Sequence, residues 1–160
     1  MSSPDRRAFL LLALLAGCGF TPAYGPDGGA QVLQGTIRAA DPTDKNGFDL
    51  VQRLEERLGR PTGARFDLTY TIATKAIAVG VTPDGAITRF NLTGTVVWVL
   101  TDAAGSRVAG GEVDSFTSWS ATGSTVAGLT AEEDAALRLM RLLADQIVAR
   151  LLAVSASLPQ

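Results

Sequence analysis

Histidine is absent from this 160-residue chain and cysteine occurs once, at Cys18. Those two facts remove most catalytic chemistry. No Cys/His zinc site, no Cys–His or Ser–His dyad and no intrachain disulfide can be assembled. One thiol, 16 carboxylate and 14 basic side chains remain. Acid–base catalysis of the glycosidase kind would have to draw on residues such as Glu112 and Asp114, at i and i+2 on one face of a strand. No motif around them supports such a pair, so no catalytic residue, no metal and no dissociable cofactor is expected. Charged residues make up 19% of the chain, aromatic ones 6%, and the net charge is −2. That balance lacks the basic footprint of a nucleic-acid binder. With 46% hydrophobic residues, the composition is that of an ordinary globular chain of about one domain.

The single thiol sits where its chemistry is specific. Arg6 and Arg7 precede the apolar run from Ala8 to Leu15, which is far short of the ~20 residues a membrane-spanning helix needs. A basic start, a short apolar stretch and small residues at the end form the layout of a bacterial export signal. The segment closes as Leu15-Ala16-Gly17-Cys18, which resembles the lipobox of bacterial lipoproteins. That resemblance implies removal of residues 1–17 and a diacylglycerol and an N-acyl chain on Cys18. Several chains on one cysteine hold a protein on a membrane far more firmly than the marginal grip of a single chain. Gly19 follows the cysteine, without the Asp that retains such lipoproteins at the inner membrane, so the implied location is the periplasmic face of the outer membrane. Asp5-Arg6-Arg7-Ala8-Phe9-Leu10 is also similar to a twin-arginine signal, and both export routes stay open. Loss of the leader takes the net charge from −2 to −3, so a general basic attraction to anionic lipid is not the mode of action.

Behind Cys18, residues 18–29 are rich in Gly and Pro and read as a tether. Residues 30–155 read as one α+β domain, with 156–160 as a tail. Ala30 to Ala39 reads as a modest strand. A helix follows, with Asn46 as its cap, Asp49 complementing its dipole, and Phe48, Val51, Leu54 and Leu58 on one face beside Leu50. Glu56 and Arg60 stand four apart at its exposed end, and Gly59 and Pro61 stop it. Phe66, Leu68, Tyr70 and Ile72 alternate as a strand. The phase then changes to Ile77, Val79 and Val81, predicting a bulge near Thr74–Ala76. Thr82-Pro83-Asp84-Gly85 is a turn. The return strand carries Phe90, Leu92, Val96, Trp98 and Leu100 inward. Asp102-Ala103-Ala104-Gly105 turns again into a hydroxyl-rich strand from Arg107 to Thr122. Thr130-Ala131-Glu132-Glu133 reads as a capping box that opens a long helix with Ala136, Leu139, Leu143, Ile147, Leu151 and Val154 on its face.

The order is therefore β-α-β-β-β-α, with two helices packed on one face of a mostly antiparallel four-stranded sheet. The other face, carrying Thr69, Thr71, Arg89, Asn91, Thr93 and Thr95, is left polar, either solvated or a partner surface.

The stretch Leu15-Ala16-Gly17-Cys18-Gly19-Phe20-Thr21-Pro22-Ala23-Tyr24-Gly25 resembles the start of the LPS-assembly lipoprotein family, LptE. There a lipobox cysteine leads directly into Gly-Phe and a short Pro/aromatic segment. The β-α-β-β-β-α order over roughly residues 30–154 is similar to that family's fold. The resemblance implies a non-enzymatic subunit of the lipopolysaccharide translocon. Such a subunit plugs an LptD-type β-barrel, helps it assemble and assists lipopolysaccharide insertion. It implies basic residues that meet lipid phosphates, for which Lys75, Arg89 and Arg107 are the candidates. Thr82, Pro83, Asp84 and Gly85, at the hairpin tip, are the candidates for barrel contact. An auxiliary lipoprotein of another envelope lipid-transport or secretin system is the alternative.

Mass spectrometry of the mature N-terminus is expected to show an acylated Cys18 and no residues 1–17. An unmodified thiol or a retained leader would contradict that expectation.

Overall fold

A computed structural model describes residues 29–121 and 124–159. The export signal, Cys18, the tether up to residue 28 and Thr122 lie outside the described residues. The elements run α1 (Gly29–Leu33), β1 (Ile37–Ala39), α2 (Lys45–Leu58), β2 (Phe66–Val81), β3 (Ile87–Asp102), β4 (Arg107–Ser120) and α3 (Thr125–Val154). A single 3₁₀ turn, Ser155–Ser157, follows. The four strands form one sheet in the order β1-β2-β3-β4. β1 pairs with β2 in parallel, whereas β2–β3 and β3–β4 are antiparallel, so the sheet is mixed.

Alternation decides which face of this sheet is covered. Phe66, Leu68, Leu92, Val96, Trp98, Leu100, Val113 and Trp119 are buried on one side. They meet Leu50, Leu54 and Leu58 of α2 and Leu139, Met140, Leu143, Ile147 and Leu151 of α3. α3 lies directly on the sheet because β3 gives it room at Gly94. A Cβ there would stand 2.9 Å from Leu139 Cδ2 and 3.1 Å from Leu143 Cδ1. Thr117 fastens the contact, its buried hydroxyl donating to the Ala135 carbonyl at 2.9 Å. The two helices are clamped by a bidentate ion pair, in which Arg53 Nε and Nη2 donate to Asp145 Oδ1 and Oδ2 at 3.1 and 3.0 Å. Arg57 adds a bond to Asp145 Oδ1 at 3.0 Å. The bonds to Asp145, and then to Glu56, raise the Arg53 pKa above its ordinary value.

Several local expectations are corrected. Residues 30–33 are helical and only Ile37–Ala39 pair with β2. Ala30 and Leu33 are buried by this short helix, whose neighbours are α3 and the 3₁₀ turn. Asp44, not Asn46, caps α2, accepting from Gly47 N at 2.7 Å. Asp49 instead takes the Lys45 ammonium at 2.9 Å. Phe48 is 57% exposed because the buried stripe runs through Gly47, Leu50, Leu54 and Leu58. Gly59, at φ +76°, turns the chain out of the helix. Arg60 is thereby aimed at Glu55 (3.4 Å), and Glu56 pairs with Arg53. α3 begins five residues before Thr130, capped by Ser124, whose hydroxyl accepts from Ala127 N at 3.3 Å. The Thr130 hydroxyl is a mid-helix group that donates back to the Val126 carbonyl.

The bulge is also displaced. Pairing of β2 with β3 is regular through Ala78, and the register shifts on either side of Gly80. The apparent change of phase at Thr74–Ala76 has a different cause. From Ala73 to Val79 the strand is exposed throughout, because α3 packs on β3 and β4 and leaves this stretch of β2 uncovered. Residues on the covered side no longer need to be apolar there.

Replacing Gly94 by Val should drive a branched side chain into Leu139 and Leu143 and cost about 1–3 kcal/mol. Urea unfolding checks this against Thr95→Val on the open side, which should change stability by less than about 0.5 kcal/mol.

Candidate docking and ligand surface

The sheet face away from the helices is ordered by register. Reading across β2, β3 and β4, its rows are Ile77–Asn91–Ser118, Lys75–Thr93–Phe116, Ala73–Thr95–Asp114 and Thr71–Val97–Glu112. Hydroxyl and amide groups dominate, interrupted by exposed apolar side chains at Ile77, Val97 and Phe116. Phe116, 65% exposed, was not singled out from sequence. Its signal was present all the same: it shares the even positions of β4 with Glu112, Asp114 and Ser118, opposite the buried Val113, Thr117 and Trp119.

The three basic candidates are not gathered into one site. Lys75 and Arg89 share the open face towards the hairpin end. Their register positions on β3 are four residues apart, about 14 Å at the strand rise. Arg107 pairs with Thr101, eight residues beyond the Lys75 row and about 27 Å away. Its guanidinium lies against Gly110, where a Cβ would come within 2.6 Å of Nη2. Among the described residues, Lys75, Arg89 and Arg107 form no ion pair.

The hairpin tip is a tightly bonded turn. Gly85 N donates to the Thr82 carbonyl at 2.9 Å, and Thr82 N donates to the Ala86 carbonyl at 2.9 Å. The Thr82 hydroxyl accepts from Ala86 N at 3.0 Å, and Gly85 takes φ +87°. Bonding to the Thr82 hydroxyl, and then to its own backbone N–H, holds the Asp84 carboxyl below the usual aspartate pKa. Behind the tip stand four exposed apolar side chains, Ile77, Val79, Val81 and Ile87.

On the helical side of the same hairpin, a groove of about 410 Å³ runs between Ala76 and the first turns of α3. Its floor is the stacked pair Phe90–Trp119, with centroids 5.0 Å apart and planes at 16°. A second groove, of about 590 Å³, lies at the β1 edge beside Phe48. Tyr70, near the start of α2, has its pKa raised by burial and then by Asp44 and Asp41.

Glu112 and Asp114 do share a face, as their spacing requires, but both are exposed on an open sheet rather than in a cleft. No group of three or more His, Cys, Asp or Glu among the described residues is placed to hold a metal. No helix among them is long and apolar enough to cross a membrane.

The α+β layer is a fold shared with several solved structures. A protein from Caulobacter crescentus CB15, described as a lipoprotein, superposes with a TM-score of 0.68 at 24% identity, over 82% of this chain and 98% of that one. Rare lipoprotein B from Shewanella oneidensis gives 0.59 at 12% identity, over 76% and 96%. Lipoprotein B from Nitrosomonas europaea gives 0.55 at 16%, over 76% and 83%. At these identities the likeness is one of fold. No curated protein matches the sequence. The family described as "LptE: Lipopolysaccharide-assembly" matches residues 35–151, from just before β1 almost to the end of α3. The chain belongs to that family.

Asp84 should titrate below the ordinary aspartate midpoint of about 3.9. A depressed folded-state pKa means that its contribution to the turn is fully present at neutral pH and is lost as pH falls through that lowered value. Carboxyl ¹³C NMR titration checks this, and Thr82→Val should move the midpoint back up towards the ordinary value.

Proposed function

We propose that this chain is the lipid-anchored, outer-membrane partner of an LptD-type β-barrel, which it plugs and helps to assemble for lipopolysaccharide insertion. The observation that carries the reading is the family match over residues 35–151, on a fold whose second sheet face is open and rich in hydroxyls. Large outer-membrane barrels enclose polar interiors. A domain with one face free of helices and a neutral polar surface suits such a lumen. The β2–β3 hairpin has strands of 16 residues each, about 50 Å at the strand rise. That length supports a reading in which Thr82, Pro83, Asp84 and Gly85 reach the barrel wall beyond the body of the domain.

The anchor in this reading is Cys18, carrying a diacylglycerol and an N-acyl chain at the periplasmic face of the outer membrane. The domain boundaries follow: 1–17 removed, 18–29 as tether, 30–155 as folded body and 156–160 as tail. No catalytic step is assigned to any residue. Direct contact with lipopolysaccharide falls to Lys75 and Arg89, which share one end of the open face. Arg107, at the far end, would meet a different part of any ligand.

The test is purification of the full chain through a C-terminal tag from gently solubilised outer membranes. A β-barrel of several hundred residues should be recovered in stoichiometric amount. Recovery of the chain alone would contradict the reading. Mixed replacement of Thr82–Gly85 by a Gly-Ser loop should reduce barrel recovery several-fold without lowering the yield of the chain.

A further inference from the structure

The two edges of the sheet are finished differently. At the β4 edge, α3 takes up two outward carbonyls. Gln146 Nε2 donates to the Asp114 carbonyl at 2.9 Å, and Arg138 Nη2 donates to the Ser118 carbonyl at 3.4 Å. At the other edge, β1 covers β2 only from Phe66 to Leu68. The Phe66 N–H donates to the Thr36 carbonyl, and the Leu68 carbonyl accepts from Ala40 N, so the even-numbered residues of β2 face this edge. Further along, Ile72, Thr74, Ala76 and Ala78 turn their backbone N–H and C=O groups the same way. This stretch pairs with β3 alone, in unbroken register as far as Ala78, and among the described residues no other backbone group bonds to it. Seven residues of free edge, 72–78, span about 23 Å, more than the length of a typical strand. Of the devices that keep natural edges from pairing, this run holds no proline and a single charge, Lys75.

We propose that the free β2 edge accepts an extended segment of another polypeptide as an added strand, apolar on its helix side and carrying a carboxylate opposite Lys75. The inference stands apart from the barrel reading. A closed barrel wall has no strand edge to offer, so the segment is a terminal extension or a loop. In strand addition the main-chain bonds supply affinity and alternate side chains supply specificity. On the helix side, Thr74, Ala76 and Ala78 are small. A large apolar side chain opposite Ala76 meets only a methyl group, at the mouth of the groove of about 410 Å³ floored by Phe90 and Trp119. On the open side, Lys75 forms no ion pair among the described residues. Opposite charges facing each other across neighbouring strands attract and like charges repel. A second copy of this chain fits poorly for that reason. Antiparallel pairing of two β2 edges about Thr74 sets the two Lys75 side chains on a diagonal, and pairing about Lys75 sets them face to face. An acid-bearing strand of a different chain has neither conflict. Its carboxylate and a lipid phosphate would exclude one another at Lys75.

The probe is a synthetic peptide of alternating Leu and Thr with a central Glu in place of one Thr, offered to the full chain in detergent micelles. Amide hydrogen exchange is followed by NMR. Exchange at Ile72, Thr74, Ala76 and Ala78 should slow by about tenfold or more as the peptide saturates. The same peptide N-methylated at alternate amides, which cannot form the ladder, should give no protection. Thr74→Pro removes an N–H that faces the free edge, a position where a strand tolerates proline, and it should abolish protection while leaving the unfolding midpoint in place. Should that variant unfold, the N-methylated peptide decides alone. Lys75→Glu should weaken the Glu peptide and restore binding to a peptide with Lys in the central place. The proposal is overturned if millimolar peptide protects none of the four amides, if the N-methylated peptide binds equally well, or if protection falls on Asp114, Phe116 and Ser118 at the opposite edge. Self-association of the chain that Thr74→Pro abolishes would give the edge to a second copy and overturn it likewise.

Discussion

α3 can lie flat on the sheet only because β3 carries no side chain at Gly94, and most of the remaining architecture follows from that contact. Leu139 and Leu143 settle into the space and bring the Ala135 carbonyl onto Thr117. With α3 seated there, Asp145 faces Arg53 and Arg57 and draws α2 alongside. Both helices then occupy the same side. The apolar residues of alternate strand positions find their partners on that side alone, so the other side needs none. A polar sheet face is thus a consequence of how the helices are placed.

The same division explains the hairpin. α3 is 30 residues long, about 45 Å, but its first turns, with Val126 and Leu129 exposed, do not close over β2 and β3. β2 is exposed beyond Ile72, whereas β3 stays covered through Gly94 and Leu92, and the stacked Phe90 and Trp119 mark where the covered core ends. The bulged register around Gly80 and the bonded turn at Thr82–Gly85 stiffen a projection that has little packing beneath it. Stiffness of this kind comes from backbone bonding rather than burial.

Much of this was legible in the sequence because burial on one face imposes a period of two. Phe66 to Ile72 and Phe90 to Leu100 fell into place on alternation, and the turns at Thr82–Gly85 and Asp102–Gly105 on the chemistry of Pro, Asp and Gly. Misreadings arose where two residues could do the same local job or where no periodicity applied. Asp44 and Asn46 are both competent caps, and the choice was made by which one begins the bonded turn, since Phe48 N also donates to the Asp44 carbonyl. The start of α3 holds Gly128 and has little core to face, so its first turn left no apolar stripe, and Thr130 with Glu133 imitated a cap. Ala30 to Leu33 is too short to show a helical period. The candidate surface was legible as a list of polar residues but not as a place. Register alone shows that Lys75 shares a row with Phe116, that Arg89 lies four residues of β3 further towards the hairpin tip, and that Arg107 belongs to the other end.

The family places the chain in lipopolysaccharide assembly, and the proposed engagement of a barrel rests on the open face and the long hairpin. The most direct measurement is photocrosslinking in intact cells from a photoreactive residue at position 84, on the hairpin tip. The account predicts a single adduct with an outer-membrane barrel protein. Adducts with periplasmic proteins only, or none, would contradict it.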